Sequence, residues 1–540
     1  METLYYNGQI LTLSTPTPPS HNPEAVLIKA GLITKVGTLE ELEASASPNV
    51  KKVDLAGRCL MPAFIDPHSH FVMNAKMALY ADLSDCSSFS DIIRVLKEYI
   101  RKNAVTKDQA VIGFGYDHNF LKEQAQPDKR VLDQVSMEIP ILILHVSAHL
   151  ACANSAALAL AGMDENTPDV AGGLIERLPG GREPSGYVEE MGVRLLQGAV
   201  AGRVSQDSSR MYDAIQTMYL EHGVTTAQDG ATASEDMKTL DWMAENKMLK
   251  LDVVAYPQLS TGGAALMEAY GETYRTYRNR VKIGGYKLVL DGSPQGRSAW
   301  MTEPYLGGEE GYCGYPWMTD EEVEEHMMRA VSENRQILVH CNGDAAGDQF
   351  LNAYEKALEK TKNTNDLRPV MIHCQTVRND QLDRMAKIGM IASIFIGHVW
   401  FWGDIHVKNF GEKRGNHISP ARDALDRGVK VNFHQDTPVT KPDMLHSVWC
   451  AVNRLSRGGN IIGEDQRISA YEALKAVTID AAYEYFEEHE KGSIEEGKRA
   501  DLVILDCSPL EVPPMEIRDI RVLETIKDGE VVYTAPETHQ

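Results

Sequence analysis

Met61-Pro-Ala-Phe-Ile-Asp-Pro-His68-Ser-His70 joins a short apolar run to two histidines one residue apart. Leu60 to Ile65 reads as a buried strand. Residues i and i+2 of an extended chain project the same way, so both imidazoles can face one metal ion. Alone, His-x-His is a weak signal, because short polar spacings recur by chance. Three later apolar runs also end in ligand-type residues: Ile337-Leu-Val-His340, Val370-Met-Ile-His373 and Val429-Lys-Val-Asn-Phe-His-Gln-Asp436. A metal site assembled from several strand ends accounts for all of them.

Working outward, strands and helices alternate through the middle of the chain, which is the signature of a parallel sheet. Eight strands are expected, at Leu60–Ile65, Val224–Gln228, Leu251–Tyr256, Tyr286–Leu290, Ile337–His340, Val370–His373, Met390–Phe395 and Val429–Phe433. Most precede an amphipathic stretch, such as Thr319 to Asn334, where an acidic first turn follows an N-cap threonine. The expected fold class is therefore α/β, a (β/α)8 TIM-type barrel with its active site at the C-terminal strand ends. About 150 residues separate the first two strands, far more than a βα loop needs. They contain a helix (Ser90 to Lys102), strands at Ala110–Gly115 and Ile139–Val146, and a Gly/Pro-rich passage from Gly172 to Pro184. We read them as an inserted subdomain over the barrel mouth.

Both ends of the chain read as short strands and turns, with Asn7-Gly8 and Asp528-Gly529 as turn signals. They are expected to form one small β-sandwich domain. The expected boundaries are 1–58 and 486–540 for that domain and 59–485 for the barrel, with the insertion within 71–222.

The 540 residues carry 54 Lys and Arg against 77 Asp and Glu, a net charge of −23. Such a field repels phosphate backbones and anionic lipid, so neither nucleic acid nor membrane is an expected partner. No apolar run approaches the roughly 18 residues of a membrane span. The N-terminus lacks the pattern of a signal peptide. Eight scattered cysteines form no disulfide framework and no Cys-x-x-Cys, which fits a reducing cytoplasm. The expected partner is a small-molecule substrate; a homo-oligomer is compatible with the sequence.

In strand order the candidate ligands are His68 and His70, Lys287, His340, His373 and Asp436. This order resembles the amidohydrolase superfamily of metal-dependent hydrolases, from Met61 to the Gly492-Ser-Ile-Glu-Glu-Gly-Lys-Arg-Ala-Asp501 segment. Within it the chain is most similar to the YtcJ-like group, which includes N-substituted formamide deformylase. The segments Ala153-Asn-Ser155, Gly223-Val-Thr-Thr-Ala-Gln-Asp229, Lys287-Leu-Val-Leu-Asp291 and Val339-His-Cys-Asn-Gly-Asp344 carry that likeness. The resemblance implies that His68 and His70 hold one ion and that His340 and His373 hold a second. It implies zinc, with Lys287 carboxylated as the bridge; a single-ion site without the carbamate is the alternative. Imidazole and carboxylate donors suit zinc, which makes hydroxide available from water at neutral pH. Asp436 would bind metal and act as general base, then acid, in cleaving a non-peptide C–N bond of an amide or formamide.

Lys287 could instead be an ordinary lysine paired with Asp291. Cys341 and Cys374 are expected in the core. His434 shares the orientation of Asp436 and is a helper candidate. Trp300, Trp317, Trp400, Phe401 and Trp402 are placed in loops near strand ends. His398 and Trp402, with Asp291, Arg297, His149 and His434, are candidate substrate contacts. Glutamates 484, 487, 488 and 490 read as a solvated helix face. Two rival functions are a one-metal deaminase and a non-catalytic metal-binding regulator. Such deaminases place a glutamate three residues after the fifth-strand histidine, where this chain has Gly343.

Overall fold

The computed structural model describes residues 2–536 apart from 16, 19–21, 78, 147–149, 171–172, 205–207 and 308. The chain forms two compact units, Met1–Val72 with Gln216–Gln540, and Met73–Ile215.

In the first unit, apolar runs buried on both faces pair as two parallel sheets. One orders Phe64–Ile65, Val224–Thr232, Asp252–Pro257 and Val281–Ile283. The other orders Tyr286–Val289, Ile337–Cys341, Val370–His373, Ile391–Ile394 and Val431–Phe433. Residues 281–289 run from one sheet into the other through Gly284 and Gly285. A Cβ at either glycine would lie 2.4 Å from the Tyr256 ring or the Gln336 carbonyl oxygen, so the crossing needs residues without side chains. The helix Asp320–Ser332 starts at Thr319, whose hydroxyl and the Glu322 carboxylate form a capping box.

The expected strand over Leu60–Ile65 is in fact two. Cys59–Pro62 runs antiparallel to Leu502–Leu505, and only Phe64–Ile65 joins the parallel sheet. Pro62 has no N–H to continue a ladder. Beyond it, the Ala63 N–H donates to Asp501 and the Phe64 N–H to Gly223, so the chain changes partners here. The termini build two further sheets. One contains Leu32–Gly37, Ala25–Lys29, Glu2–Tyr6 and Lys51–Asp54. The other contains Gln9–Ile10, Cys59–Pro62, Leu502–Leu505, Val522–Lys527 and Glu530–Thr534. Tyr5, Val26 and Ile28 of one share a core with Leu60, Leu502 and Ile526 of the other. The Asn7-Gly8 turn thus passes the chain between sheets, whereas Asp528-Gly529 closes a hairpin.

The second unit has a six-stranded sheet, ordered Gly173–Arg177, Pro184–Glu190, Leu150–Ala153, Ile141–His145, Val111–Tyr116 and Ala81–Asp82. Alternate residues separate two cores: Ile112, Leu142 and Leu144 on one face, Val111, Ile141 and Ile143 on the other. The Gly/Pro-rich passage of the sequence contains the strand Gly173–Arg177 and leads into its antiparallel partner Pro184–Glu190. No described helix is long and apolar enough to cross a membrane.

A buried ion network ties the C-terminal segments to the parallel sheet. The ammonium groups of Lys491 and Lys527 each lie 2.6 Å from Asp252 Oδ2, and Arg280 lies 3.1 Å from Oδ1. Lys527 also pairs with Asp501, and Glu487 with Lys282. The expectation of a solvated glutamate face therefore fails at Glu487, which is buried here. Burial alone would raise the Asp252 carboxyl, but the two ammoniums outweigh it and hold it far below the usual range. Asp252→Asn leaves both ammoniums without that anion and is expected to cost about 3–5 kcal/mol. Thermal unfolding measures this; an unchanged Tm would contradict it.

Candidate metal centre

His68 and His70 lie just past the strand end at Ile65, and the helix Phe71–Met77 follows directly. The C-terminal end of Val224–Thr232 orients both. Gln228 Nε2 donates to the Pro67 carbonyl and the Tyr485 hydroxyl, so its Oε1 faces His68 Nδ1 at 2.7 Å. His68 Nδ1 must therefore carry the proton, leaving its Nε2 a lone pair. His70 Nδ1 lies 2.6 Å from the Gly230 carbonyl oxygen, which only accepts, so its Nε2 is likewise turned inward. Gly230 is required here: a Cβ would lie 2.8 Å from the His68 ring.

Both Nε2 atoms lie 3.3 Å from the same oxygen, Oδ1 of Asp436. That oxygen is buried and, among the described residues, lacks a hydrogen-bond partner of good geometry, as does His373 Nδ1. Donor atoms of His68, His373 and Asp436 all lie within 4.8 Å of one another. Lone pairs converging in a buried space repel unless a positive charge lies between them. Burial presses the His68 imidazole down to about 3, with Lys287 adding to the effect, so it is neutral as a ligand must be. Burial also acts downward on His70, yet the Asp436 carboxylate raises it, a sign that positive charge is favoured at this point. These residues fit a divalent cation.

The second parallel sheet supplies the rest. Lys287 is buried, its Nζ 3.5 Å from His68 Nε2, and burial lowers its amine to about 8. The His340 and His373 rings meet edge to face at 4.4 Å. His434 lies 5.0 and 5.1 Å from the rings of His68 and His373, with neither ring nitrogen hydrogen-bonded among the described residues. His373 (φ +72°) and Asp436 (φ +53°) hold left-handed backbone, which costs of order 1–3 kcal/mol each and persists where the surroundings impose it.

Against this geometry, comparison with known proteins is specific. The amidohydrolase family model matches residues 51–533. The chain belongs to the amidohydrolase family. It is 29% identical over 530 residues to N-substituted formamide deformylase of Arthrobacter pascens, covering 94% of this chain and 95% of that one. It is 27% identical over 551 residues to the putative amidohydrolase YtcJ of Bacillus subtilis, covering 99% of each. An uncharacterized metal-dependent hydrolase of Pyrococcus horikoshii superposes with a TM-score of 0.75 at 24% identity, over 95% of this chain and 99% of that one. The fold is thus TIM-barrel-like α/β, and this amidohydrolase is a hydrolase acting on carbon–nitrogen bonds. Donor set and family together call for a divalent metal ion.

Other expected contacts fall elsewhere. Asp291 is fully buried and accepts from His340 Nδ1 and from the backbone N–H groups of Trp300, Asn342 and Gly343, so it orients His340 and is no partner of Lys287. Arg297 is spent on Asn409 and the Gly307 carbonyl. The segment expected as a loop after the seventh strand is the helix His398–Asn416, kinked at Gly411. Its buried Val399, Trp402, His406 and Phe410 recur at helical spacing. His398 is buried against Trp402 and pairs with His406. Trp400 instead packs on Trp449, and Trp317 is largely exposed. Cys341 and Cys374 are buried. His149 lies outside the described residues.

Sequence reasoning missed Gln228, Gly230 and Glu484. Glu484 is fully buried, not solvated; it accepts from Asn432 Nδ2 at 2.7 Å and lies 3.5 Å from Gln228 Nε2. It thereby supports the amide that holds His68. Burial pushes its carboxyl up to about 8. An unfolded glutamate titrates near 4.3, so between the two values the folded chain keeps a proton the unfolded chain has lost. That contribution to stability falls as pH rises through the window. Glu484→Gln removes the titration, so its Tm relative to the native chain is expected to rise from about pH 5 to about pH 8. A difference that does not change with pH would contradict this.

Proposed function

We propose that this amidohydrolase cleaves a C–N bond of an amide or formamide-like small molecule at a centre built from His68, His70, Lys287, His340, His373 and Asp436. The observation that carries the reading is the convergence of two inward lone pairs, His68 Nε2 and His70 Nε2, on Asp436 Oδ1 at 3.3 Å. The two parallel sheets, joined through residues 281–289, read as one (β/α)8 barrel with the ligands at its C-terminal strand ends. The terminal segments 1–58 and 486–540 read as its β-sandwich domain, flanking a hydrolase domain at 59–485.

Imidazole and carboxylate donors favour zinc. When bound, the cation supplies a Lewis acid that acidifies water and polarises a carbonyl. His340 and His373 would hold a second ion. Lys287 would bridge the two as a carbamate, which forms only from the neutral amine. An amine lowered to about 8 by burial is partly neutral at pH 7, which supports that step. Asp436, partly buried and ionised, would take a proton from the attacking water and return it to the departing nitrogen. His68 and His70, fixed through Nδ1, would keep both Nε2 atoms on the ligand side throughout. The name of the Arthrobacter relative supports an N-substituted formamide as the first substrate class to test.

The deaminase reading loses ground on a specific contact. A Cβ at Gly343 would lie 1.8 Å from the Trp300 carbonyl oxygen, so no glutamate fits there without moving backbone. Asp344, the next residue in the chain, is committed to Thr302 and Arg378. A regulator that only binds metal has no need of a general base among the ligands.

Asp436→Asn should lower kcat by about 10²–10⁴-fold toward N-formyl, N-acyl or cyclic amides, as loss of a proton-transfer group does. Full turnover by this variant on an active substrate would sink the assigned role. Intact native mass should carry one added carbon dioxide, lost in Lys287→Ala; no added mass in the native chain would favour one ion without a carbamate.

A further inference from the structure

The unit Met73–Ile215 carries a second set of ligand-type side chains that the proposed function does not use. Asp117 and His118 follow the strand Val111–Tyr116, and His145 ends the neighbouring strand Ile141–His145. The two strands are parallel and pair Tyr116 with His145, so all three residues leave the sheet at its same C-terminal edge. The Tyr116 ring packs edge-on against His145, and the His145 and Asp117 side chains are mostly buried.

The donor atoms meet closely. His118 Nδ1 lies 3.2 Å from His145 Nε2, and Asp117 Oδ1 lies 3.4 Å from His145 Nε2 and 3.8 Å from His118 Nδ1. A tetrahedral ion bound at about 2.0–2.2 Å by two imidazoles and a carboxylate holds its ligand atoms about 3.3–3.6 Å apart. The observed triangle therefore has its centre about one coordination bond from each corner. A proton shared between the two imidazoles joins only one pair of corners. A cation joins all three. Asp117 Oδ1 also accepts the backbone N–H and the side-chain amide of Asn119, both at 2.9 Å, which fixes the carboxylate as ligand carboxylates are commonly fixed.

We propose that Asp117, His118 and His145 form a second metal site, for a borderline divalent transition ion such as zinc, nickel or copper. One carboxylate oxygen among two imidazoles is a poor match for calcium or magnesium, which take oxygen ligands. Three protein ligands leave at least one position for water or another donor.

The test is the number of zinc ions per full-length chain, measured after chelator treatment and reloading. His118→Ala should bind one equivalent fewer than the native chain with a native Tm, since His118 is about a third exposed. A chain carrying His68→Ala with His373→Ala should still bind one equivalent, and lose it on adding His118→Ala. Equal zinc in the native and His118→Ala chains would overturn the proposal and leave a hydrogen-bonded His–His–Asp cluster. Because the second comparison is made without the ligands of the catalytic centre, failure of that centre and failure of this site give different results.

Discussion

Three acceptor atoms, His68 Nε2, His70 Nε2 and Asp436 Oδ1, converge at the strand ends, and the rest of the centre follows from that convergence. His68 and His70 each place their ring proton outward, on Gln228 Oε1 and the Gly230 carbonyl, and turn Nε2 toward Asp436 Oδ1. Without a cation this arrangement is repulsive; with one it is a chelate. Holding ligands in this orientation before the ion arrives reduces the reorganisation that binding would otherwise require. The pattern makes metal binding a property of backbone placement as much as of side-chain identity. Gly230 shows this most clearly, since a single added Cβ would push into His68.

Support for the convergence extends one layer down. Gln228 can serve His68 only because its own amide protons are taken by Pro67, Tyr485 and Glu484. Tyr485 in turn donates to the Asp66 carbonyl, two residues before His68. The helix Ile479–Glu484 and the residue after it thus form a polar floor beneath the ligands. A few residues on, Lys491 locks Asp252 in a buried ion pair, and Lys527 completes it from the terminal sheet. The C-terminal segments therefore brace the parallel sheet that carries His68 and His70.

What could be read from the chain and what could not divide along physical lines. His68, His70, His340, His373 and Asp436 each follow an apolar run, and strand periodicity exposes such positions whatever the tertiary structure. Lys287 stood out as a charge inside an apolar strand. The split of Leu60–Ile65 was hidden because both halves are apolar, and only their hydrogen-bond partners differ. Glu484 was hidden for the opposite reason. In a run with Glu487, Glu488 and Glu490 it looks like a solvated face, and its burial depends on Asn432 and Gln228, far away in sequence. The helix His398–Asn416 was obscured by its dense aromatics, which read as a pocket rim but recur at helical spacing. Gly343 was legible as a missing glutamate, while its reason, the close approach of the Trp300 carbonyl, exists only in three dimensions.

The central claim is that a divalent ion completes the convergence on Asp436. An anomalous-difference map at the zinc edge, from crystals of the full chain reloaded with zinc, tests it most directly. The account predicts a peak about 2.0–2.3 Å from His68 Nε2, His70 Nε2 and Asp436 Oδ1. Ordered His68, His70 and Asp436 side chains with no peak between them, at saturating zinc, would contradict it.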